Sequence, residues 1–314
     1  MAILHINIRS LSRAKGANAV ATAAYISRDK LRDEQQQRNY DFRYRGGLQH
    51  AEILTPQRGE GHSQAPAPKR SELWNQAERA ERPRNARVAR EYQFSLPHEL
   101  KPDDRIALAR RFAQDIADRY GSAVDLAVHG APPSGDARNV HAHVLATTRE
   151  YHAQGLGKKT AIELSDTHRR GRGLPSARNE YRQIRARWAE FANEALREQG
   201  FEANLDPRTL AEQGINRRPQ THRGPVVTEI MRRGGYSYVA ERIQAEQAAM
   251  REQERANDRN QPSASLDSRR RKALESWRYY REQGRSAQDE AHQERDARDA
   301  AHEPGRSRPR DLGR

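Results

Sequence analysis

The sequence contains no cysteine, which removes disulfide frameworks and thiolate-ligated metal sites from consideration. It also has no long apolar run. Nothing in it approaches the ~20 residues of a membrane-spanning helix, and no signal-peptide-like hydrophobic stretch follows the first residues. A cytoplasmic protein without stable membrane insertion is the expectation. Large apolar side chains are scarce: hydrophobic residues make up 34%, aromatics 6%, and the mean hydropathy is −1.14. So polar a chain cannot be packed core throughout. What it has in excess is positive charge, with 57 Lys and Arg against 43 Asp and Glu, a formal +14 over 314 residues. That points to a polyanion partner, nucleic acid before a membrane surface.

Only twelve histidines are present, and three of them fall into one pattern. Asn139 to Thr147 alternates as a β-strand does, with His141, His143 and Leu145 on one face and Val140, Ala142, Val144 and Ala146 on the other. Upstream, Val124 to His129 reads as a second strand ending in a third histidine. The intervening Gly130 to Arg138 carries Pro132, Pro133, Ser134, Gly135 and Asp136, so the two strands are expected to form a hairpin. A hairpin would gather His129, His141 and His143, and three neutral imidazoles suit a divalent ion with open positions. The plainer alternative is three surface histidines of an antiparallel sheet.

Elsewhere the pattern alternates between strand and helix. Ala2 to Ile8 is an alternating strand, with Leu4, Ile6 and Ile8 on one side. Ser10 to Gly16 is a basic loop carrying Arg13 and Lys15. Ala17 to Leu31 has a helix composition rich in alanine, with Tyr25 in its middle and Arg28 and Lys30 just after. Taken alone, Tyr25 reads as an aromatic at the rim of a core. Tyr40 to Leu54 is a turn entering a strand on which His50 and Glu52 share a face. A helix follows from Ser71 to about Ala80, then a strand from Arg90 to Leu96 with Glu91 and Gln93 on its polar face. Lys101 to Tyr120 is an amphipathic helix. Tyr151 to Ser176, with Lys158 and Lys159, is expected to be a mobile basic loop suited to phosphate contacts. Asn179 to Gly200 is a helix with an apolar stripe including Tyr181, Ile184 and Trp188. From about Tyr236 the chain turns charged and Gln-rich, expected to be helical or disordered. The fold class expected is α+β: a central antiparallel sheet of about five strands flanked by helices, whose polar face carries the three histidines and Glu91.

In order along the chain, six blocks resemble the MobA/MobL family of conjugative relaxases, the MobQ class. They are Met1-Ala2-Ile3 with His5; Ser12-Arg13, Gly16 and Ala23-Ala24-Tyr25; Gly47-Leu48, His50 and Glu52; Glu91, Phe94 and Leu96-Pro97; His129 with His141-Ala142-His143; and Asp206, Arg208-Thr209, Gln213-Gly214-Ile215, Pro219, His222 and Gly224-Pro225. The resemblance covers residues 1 to 233 and leaves 234 to 314 as a charged C-terminal extension. It implies a relaxase-like sheet related to rolling-circle initiators. It also implies site- and strand-specific nicking of plasmid DNA at an origin of transfer, with Tyr25 as nucleophile and His129, His141 and His143 holding Mg²⁺ or Mn²⁺. Glu91 is the candidate for orienting a ligating imidazole or accepting a proton. Arg13, Lys15, Arg28, Lys30, Lys158 and Lys159 are candidates for DNA phosphates. Expected partners are single-stranded or supercoiled plasmid DNA, accessory relaxosome proteins and a coupling protein of a secretion channel. Two other readings stay open. A rolling-circle replication initiator would use Tyr181, on a helix after the histidines. A basic nucleic-acid-binding protein would have no nuclease chemistry.

Overall fold

A computed structural model describes residues 4–57, 66–131, 136–215, 227 and 230–259, with backbone alone for 253–259. Contacts divide the chain into two units, Met1–Thr209 and Leu210–Arg314. In the first unit, five strands run antiparallel in one sheet: β1 (Ile6–Ser12), β4 (Leu48–Leu54), β5 (Arg87–Ser95), β6 (Ser122–His129) and β7 (His141–His152). Their spatial order is β1-β5-β7-β6-β4, which puts β6 and β7, the histidine hairpin, well inside the sheet and β1 and β4 at its edges. The central antiparallel sheet and flanking helices agree with the sequence reading.

Two-residue alternation sorts each strand onto two cores. On one side Val124, Leu126 and Val128 of β6, with Ala142, Val144 and Ala146 of β7, pack beneath α3 (Pro102–Tyr120) and α5 (Ala177–Glu198). This core is aromatic: the Phe94, Phe112 and Trp188 rings stand 4.4 to 5.1 Å apart. On the other side Ala123, Ala127 and Leu145 pack beneath α1 (Ala19–Ser27) and α2 (Arg70–Ala80). Here the contacts are small; Ala19, Ala23 and Ala24 are fully buried and let α1 lie low on the sheet. The face expected to be polar is therefore covered for much of its length. Only the end of the hairpin bearing the three histidines stays polar, because Ala127 and Leu145 give way there to His129, His143 and His141.

Two expectations are corrected. The helix predicted to run to Leu31 stops at Ser27, because Arg28 adopts the left-handed conformation (φ 54°) and its N–H closes on the Ala24 carbonyl. The chain then forms a small hairpin, β2 (Lys30–Asp33) with β3 (Arg38–Asp41), where Leu31 alternates with charged residues. The stretch from Tyr151 to Ser176 is not a loop. β7 continues to His152 and turns at Gly155 (φ 110°) into β8 (Gly155–Lys159), which pairs back on β7. A 3-10 turn and α4 (Asp166–Gly171) follow. Arg169 pins this segment from a buried position, bonding the Pro175 and Ala161 carbonyls and Glu180, each at 2.6 to 2.7 Å. A buried guanidinium so fully satisfied fixes a segment that composition alone marked as solvated. In the second unit, α6 (Tyr238–Arg259) is helical as its pattern suggested. Met1 to Ile3, Pro219, His222, Gly224, Pro225 and residues 260–314 lie outside the described residues.

Candidate active site

The hairpin register sets His129 directly opposite His141, with His143 two residues further on the same face. The three rings form a triangle with centroids 5.5, 5.2 and 5.2 Å apart. Imidazoles sharing one ion at a metal–nitrogen distance of ~2.1 Å place their centroids about 5 Å apart, so the spacing fits. Among the described residues no group of three or more His, Asp or Glu side chains is closed into a ready cation cage. It is the ring centroids that stand at ligand spacing.

His143 donates from Nδ1 to Glu91 Oε1 at 2.7 Å, which leaves the lone pair of that ring on Nε2. His141 Nδ1 lies 3.4 Å from the Asn139 carbonyl. His129 Nε2 is buried without a partner, and its Nδ1 lies 3.3 Å from Arg28 Nη2. Burial, reinforced by neighbouring imidazoles and Arg28, pushes His129 down to about 3. Burial and His143 lower His141 as well. Neutral imidazole is the form that binds a divalent ion, and three of them on one face are a donor set of the right chemistry.

Glu91 sits on β5 at 1% exposure, diagonally across from His143. Burial would raise its pKa, but the hydrogen bonds and charges of His143 and Arg9 outweigh this and hold it below the usual carboxylate range. Arg9 of β1 bonds Glu91 Oε2 at 2.5 Å. Arg9, Glu91 and His143 thus form a row across three strands. Of the two roles expected for Glu91, this geometry suits orientation of His143, since both carboxylate oxygens are engaged.

Tyr25 lies on α1, above the polar end of this face, and is 38% exposed. Its surroundings were only partly visible in the sequence. Arg28 packs on its ring with Cζ 4.7 Å from the centroid, donates to the Tyr25 carbonyl at 2.6 Å, and brings Nη2 to 3.3 Å from His129 Nδ1. One side chain therefore spans the distance between phenol and imidazoles. Arg28 Nε is buried without a partner. From the other side the chain beyond the β2–β3 hairpin delivers Phe42, whose ring meets Tyr25 edge-on at 5.4 Å, and Arg45, whose Cζ is 5.2 Å from the Tyr25 centroid. Arg45 also donates to the Tyr44 hydroxyl at 3.5 Å. Arg9, Phe42 and Arg45 had not been singled out. The usable signal was the Tyr40–Arg45 run, aromatic alternating with basic, close in sequence to a candidate nucleophile.

The remaining candidates scatter. Arg13 is tied down by the Glu78 carboxylate at 2.6 Å and by the backbone of Glu78 and Glu81, an anchor of α2 rather than a free cation. Lys159 pairs with Glu81 at 2.8 Å, and Lys158 lies 3.6 Å from Glu150. Lys15 and Lys30 are exposed, beside either end of α1. His50 and Glu52 bond each other at 2.8 Å and face α3, where Arg110 meets Glu52. Tyr181 packs against the α3–α5 core, on the opposite face from the imidazoles, its hydroxyl accepting from Arg90 at 2.9 Å.

A histidine triangle on the central hairpin of an antiparallel sheet, beside a tyrosine on its first helix, defines a relaxase-like architecture. The MobA/MobL family model matches residues 17–233, and the chain belongs to that family. It is 33% identical to the mobilization protein MobL of Acidithiobacillus ferridurans over 256 residues, 75% of this chain and 65% of that protein. It is 32% identical to mobilization protein A of Escherichia coli over 244 residues, 74% of this chain and 31% of that protein. The chain thus spans just under two thirds of the first relative and about a third of the second. It also resembles a solved structure described as the molecular basis of vancomycin resistance transfer in Staphylococcus aureus, with a TM-score of 0.53 and 26% identity, over 66% of this chain and all of that one.

Proposed function

We propose that the chain is a plasmid mobilisation relaxase that nicks one DNA strand at an origin of transfer by tyrosine transesterification. The observation that carries this reading is the placement of Tyr25 and the imidazole triangle within the span of a single arginine, Arg28. Tyr25 is the nucleophile: its oxygen forms a bond to the scissile phosphorus while the bond to the 3′-oxygen breaks. The 5′-end is left on the phenol, and the 3′-oxygen takes up a proton. Bond energy is retained in the phosphotyrosyl ester, so the reversal needs no nucleotide cofactor. A free phenol is mostly protonated at neutral pH. Arg45, with Cζ 5.2 Å from the Tyr25 ring centroid, is the donor assigned to the phenol oxygen as the proton leaves. Arg28 stacks on the Tyr25 ring and reaches His129, so its guanidinium lies beside the path a scissile phosphate would take.

His129, His141 and His143 would hold a divalent cation, Mg²⁺ or Mn²⁺, with Glu91 fixing His143. Such an ion, when bound, supplies positive charge to the non-bridging oxygens of the scissile phosphate. On ligand softness three imidazoles favour Mn²⁺ over Mg²⁺. Lys15 and Lys30, exposed on either side of α1, are placed to meet flanking phosphates. The DNA must be unpaired to reach the phenol, which calls for supercoiled plasmid or accessory proteins, and delivery calls for a coupling protein at a secretion channel. We take the relaxase domain as residues 1 to 233, with 234 to 314 as its extension. Among the described residues no helix is long and apolar enough to cross a membrane.

The test is incubation with Mn²⁺ and a labelled single-stranded oligonucleotide from the transfer origin. An SDS-stable protein–DNA adduct is expected, absent from Tyr25→Phe and present in Tyr181→Phe. Loss in the Tyr181 variant alone would move the chemistry to a rolling-circle arrangement. Metal-independent retention on DNA with no adduct under any divalent ion would leave a binding protein.

A further inference from the structure

On the face of the sheet away from the imidazoles, a groove of about 400 Å³ runs between edge strand β1 and helix α5. Its lining is Ile6 and Ile8 from β1, Arg178, Tyr181, Arg182 and Arg185 from α5, and Thr209. We propose that this groove is a second DNA-binding surface that takes a single strand, separate from the site of cleavage; the proposal rests on the nucleic-acid partner of the relaxase reading, not on its chemistry.

Three observations carry it. First, Ile6 and Ile8 point toward the α3–α5 core yet are only half-buried, because β1 is the outer strand and α5 does not cover it fully. The groove floor is therefore apolar and flat. Tyr181 adds an aromatic surface, and its polar end is already fixed by Arg90 at 2.9 Å. Second, among the described residues the rim arginines are left without carboxylate partners. Arg187 on the same helix pairs with Asp115 and Glu190, and Glu180 is consumed by Arg119 and Arg169. Among the described residues, Arg178 and Arg182 make no ion pair, and Arg185 bonds only the Pro207 carbonyl. Third, these arginines recur at i, i+4 and i+7, one stripe of the helix, rising ~6 and ~10 Å along its axis. A row of guanidinia beside an aromatic and aliphatic floor is the arrangement that holds phosphates while bases stack without sequence preference. An acidic peptide would use the charge and leave the stacking surface unexplained.

The position of β1 connects the two sites. Its alternate residues Asn7 and Arg9 face the imidazole side, beside Gln93 and Glu91, while Ile6 and Ile8 face the groove. The histidine hairpin lies two strands in from β1, with β5 between them, so a strand leaving the phenol would cross ~10 Å of sheet, at ~4.8 Å per strand, before rounding the β1 edge to seat on α5.

The experiment compares the full chain with Arg178→Gln/Arg182→Gln, using fluorescence anisotropy with a labelled oligothymidylate of about 30 nucleotides and another of about 6, across a salt series. The double variant is expected to bind the long probe roughly tenfold more weakly at moderate salt. Its log K against log [salt] slope should fall by about one to two charges, while its affinity for the short probe is unchanged. A Tyr181→Ala variant should weaken the long probe without altering the salt slope. Unchanged affinity and slope for the long probe would overturn the proposal, and so would equal dependence on these arginines for a duplex of the same length. Because oligothymidylate binding needs no nick, a failed adduct assay with an intact arginine effect removes the nickase reading alone. A normal adduct assay with no arginine effect removes the groove alone.

Discussion

The two faces of the sheet are built from opposite materials. Toward α3 and α5 Phe94, Phe112 and Trp188 meet in one aromatic cluster, and the buried charges are closed pairs, Arg90 with Glu163 and Arg169 with Glu180. Toward α1 and α2 alanines of α1 lie against the sheet beside Leu73 and Trp74 of α2, and polar side chains reach the sheet itself. Asp125 accepts from Trp74 and Arg70 in full burial, and Glu91, His129 and His143 lie at its other end. The first face supplies stability through burial. The second uses small side chains on α1, so that the helix approaches closely enough to bring Tyr25 over the ends of the central strands. One sheet thus separates holding the fold from positioning reactive groups.

That division can be broken from either side. The largest effect expected is on the reactive face: Tyr25→Phe should reduce adduct formation below detection while leaving the melting temperature within a degree or two of the parent. The converse change is Trp188→Ala, which empties the aromatic cluster and should cost about 3–5 kcal/mol of stability, read by urea denaturation. If the two variants failed alike, by unfolding, the separation of faces would be wrong. Next in size, Arg45→Ala should slow adduct formation by roughly 10²-fold, the scale of a donor aimed at developing charge. Arg45→Lys should recover part of this, and single-turnover kinetics at saturating oligonucleotide would show the loss in rate rather than in binding.

Smaller again is the loss of support for one imidazole. Glu91→Gln should weaken Mn²⁺ binding by about 10–100-fold, measured by calorimetry, with the nucleophile untouched. The last effect is confined to acid and is absent at neutral pH. His129 is held at about 3 in the fold against ~6.5 in the unfolded chain. Between those values the unfolded chain binds the extra proton, so metal-free stability should fall as pH drops from ~6.5 toward ~3 and be flat in this respect above. His129→Asn should show a shallower fall over that window in denaturation run with chelator. An identical slope would mean that His129 is not buried as a neutral ring.

Much of this was readable in advance. The period-2 alternation of Val124–His129 and His141–Ala146 fixes which residues share a face, and the Pro/Gly-rich stretch between them fixes the hairpin, so the histidine triangle follows from local rules. The helix over Lys101–Tyr120 was equally plain from its apolar stripe. What failed were places where local preference was overruled. Alanine-rich composition carried the first helix past Ser27, but Arg28 takes a left-handed backbone that no propensity scale favours for arginine. Basic, Gly-containing composition marked 151–176 as loop, because nothing in it announces that Arg169 will be buried against Glu180.

Local pattern was enough for the strands, their two-sided alternation and the gathering of three imidazoles, since each depends on one strand or a single turn; the order of the sheet was not, because β1, β4 and β5 pair with segments far away in the chain. Only the tertiary structure decided which face the arginines meet. Arg13 became an anchor for α2, Arg28 and Arg45 closed around Tyr25, and Arg178, Arg182 and Arg185 lined the far side of the sheet. A guanidinium on a long flexible stem is assigned by the carboxylates and rings within its reach, and those come from distant segments that packing alone brings together.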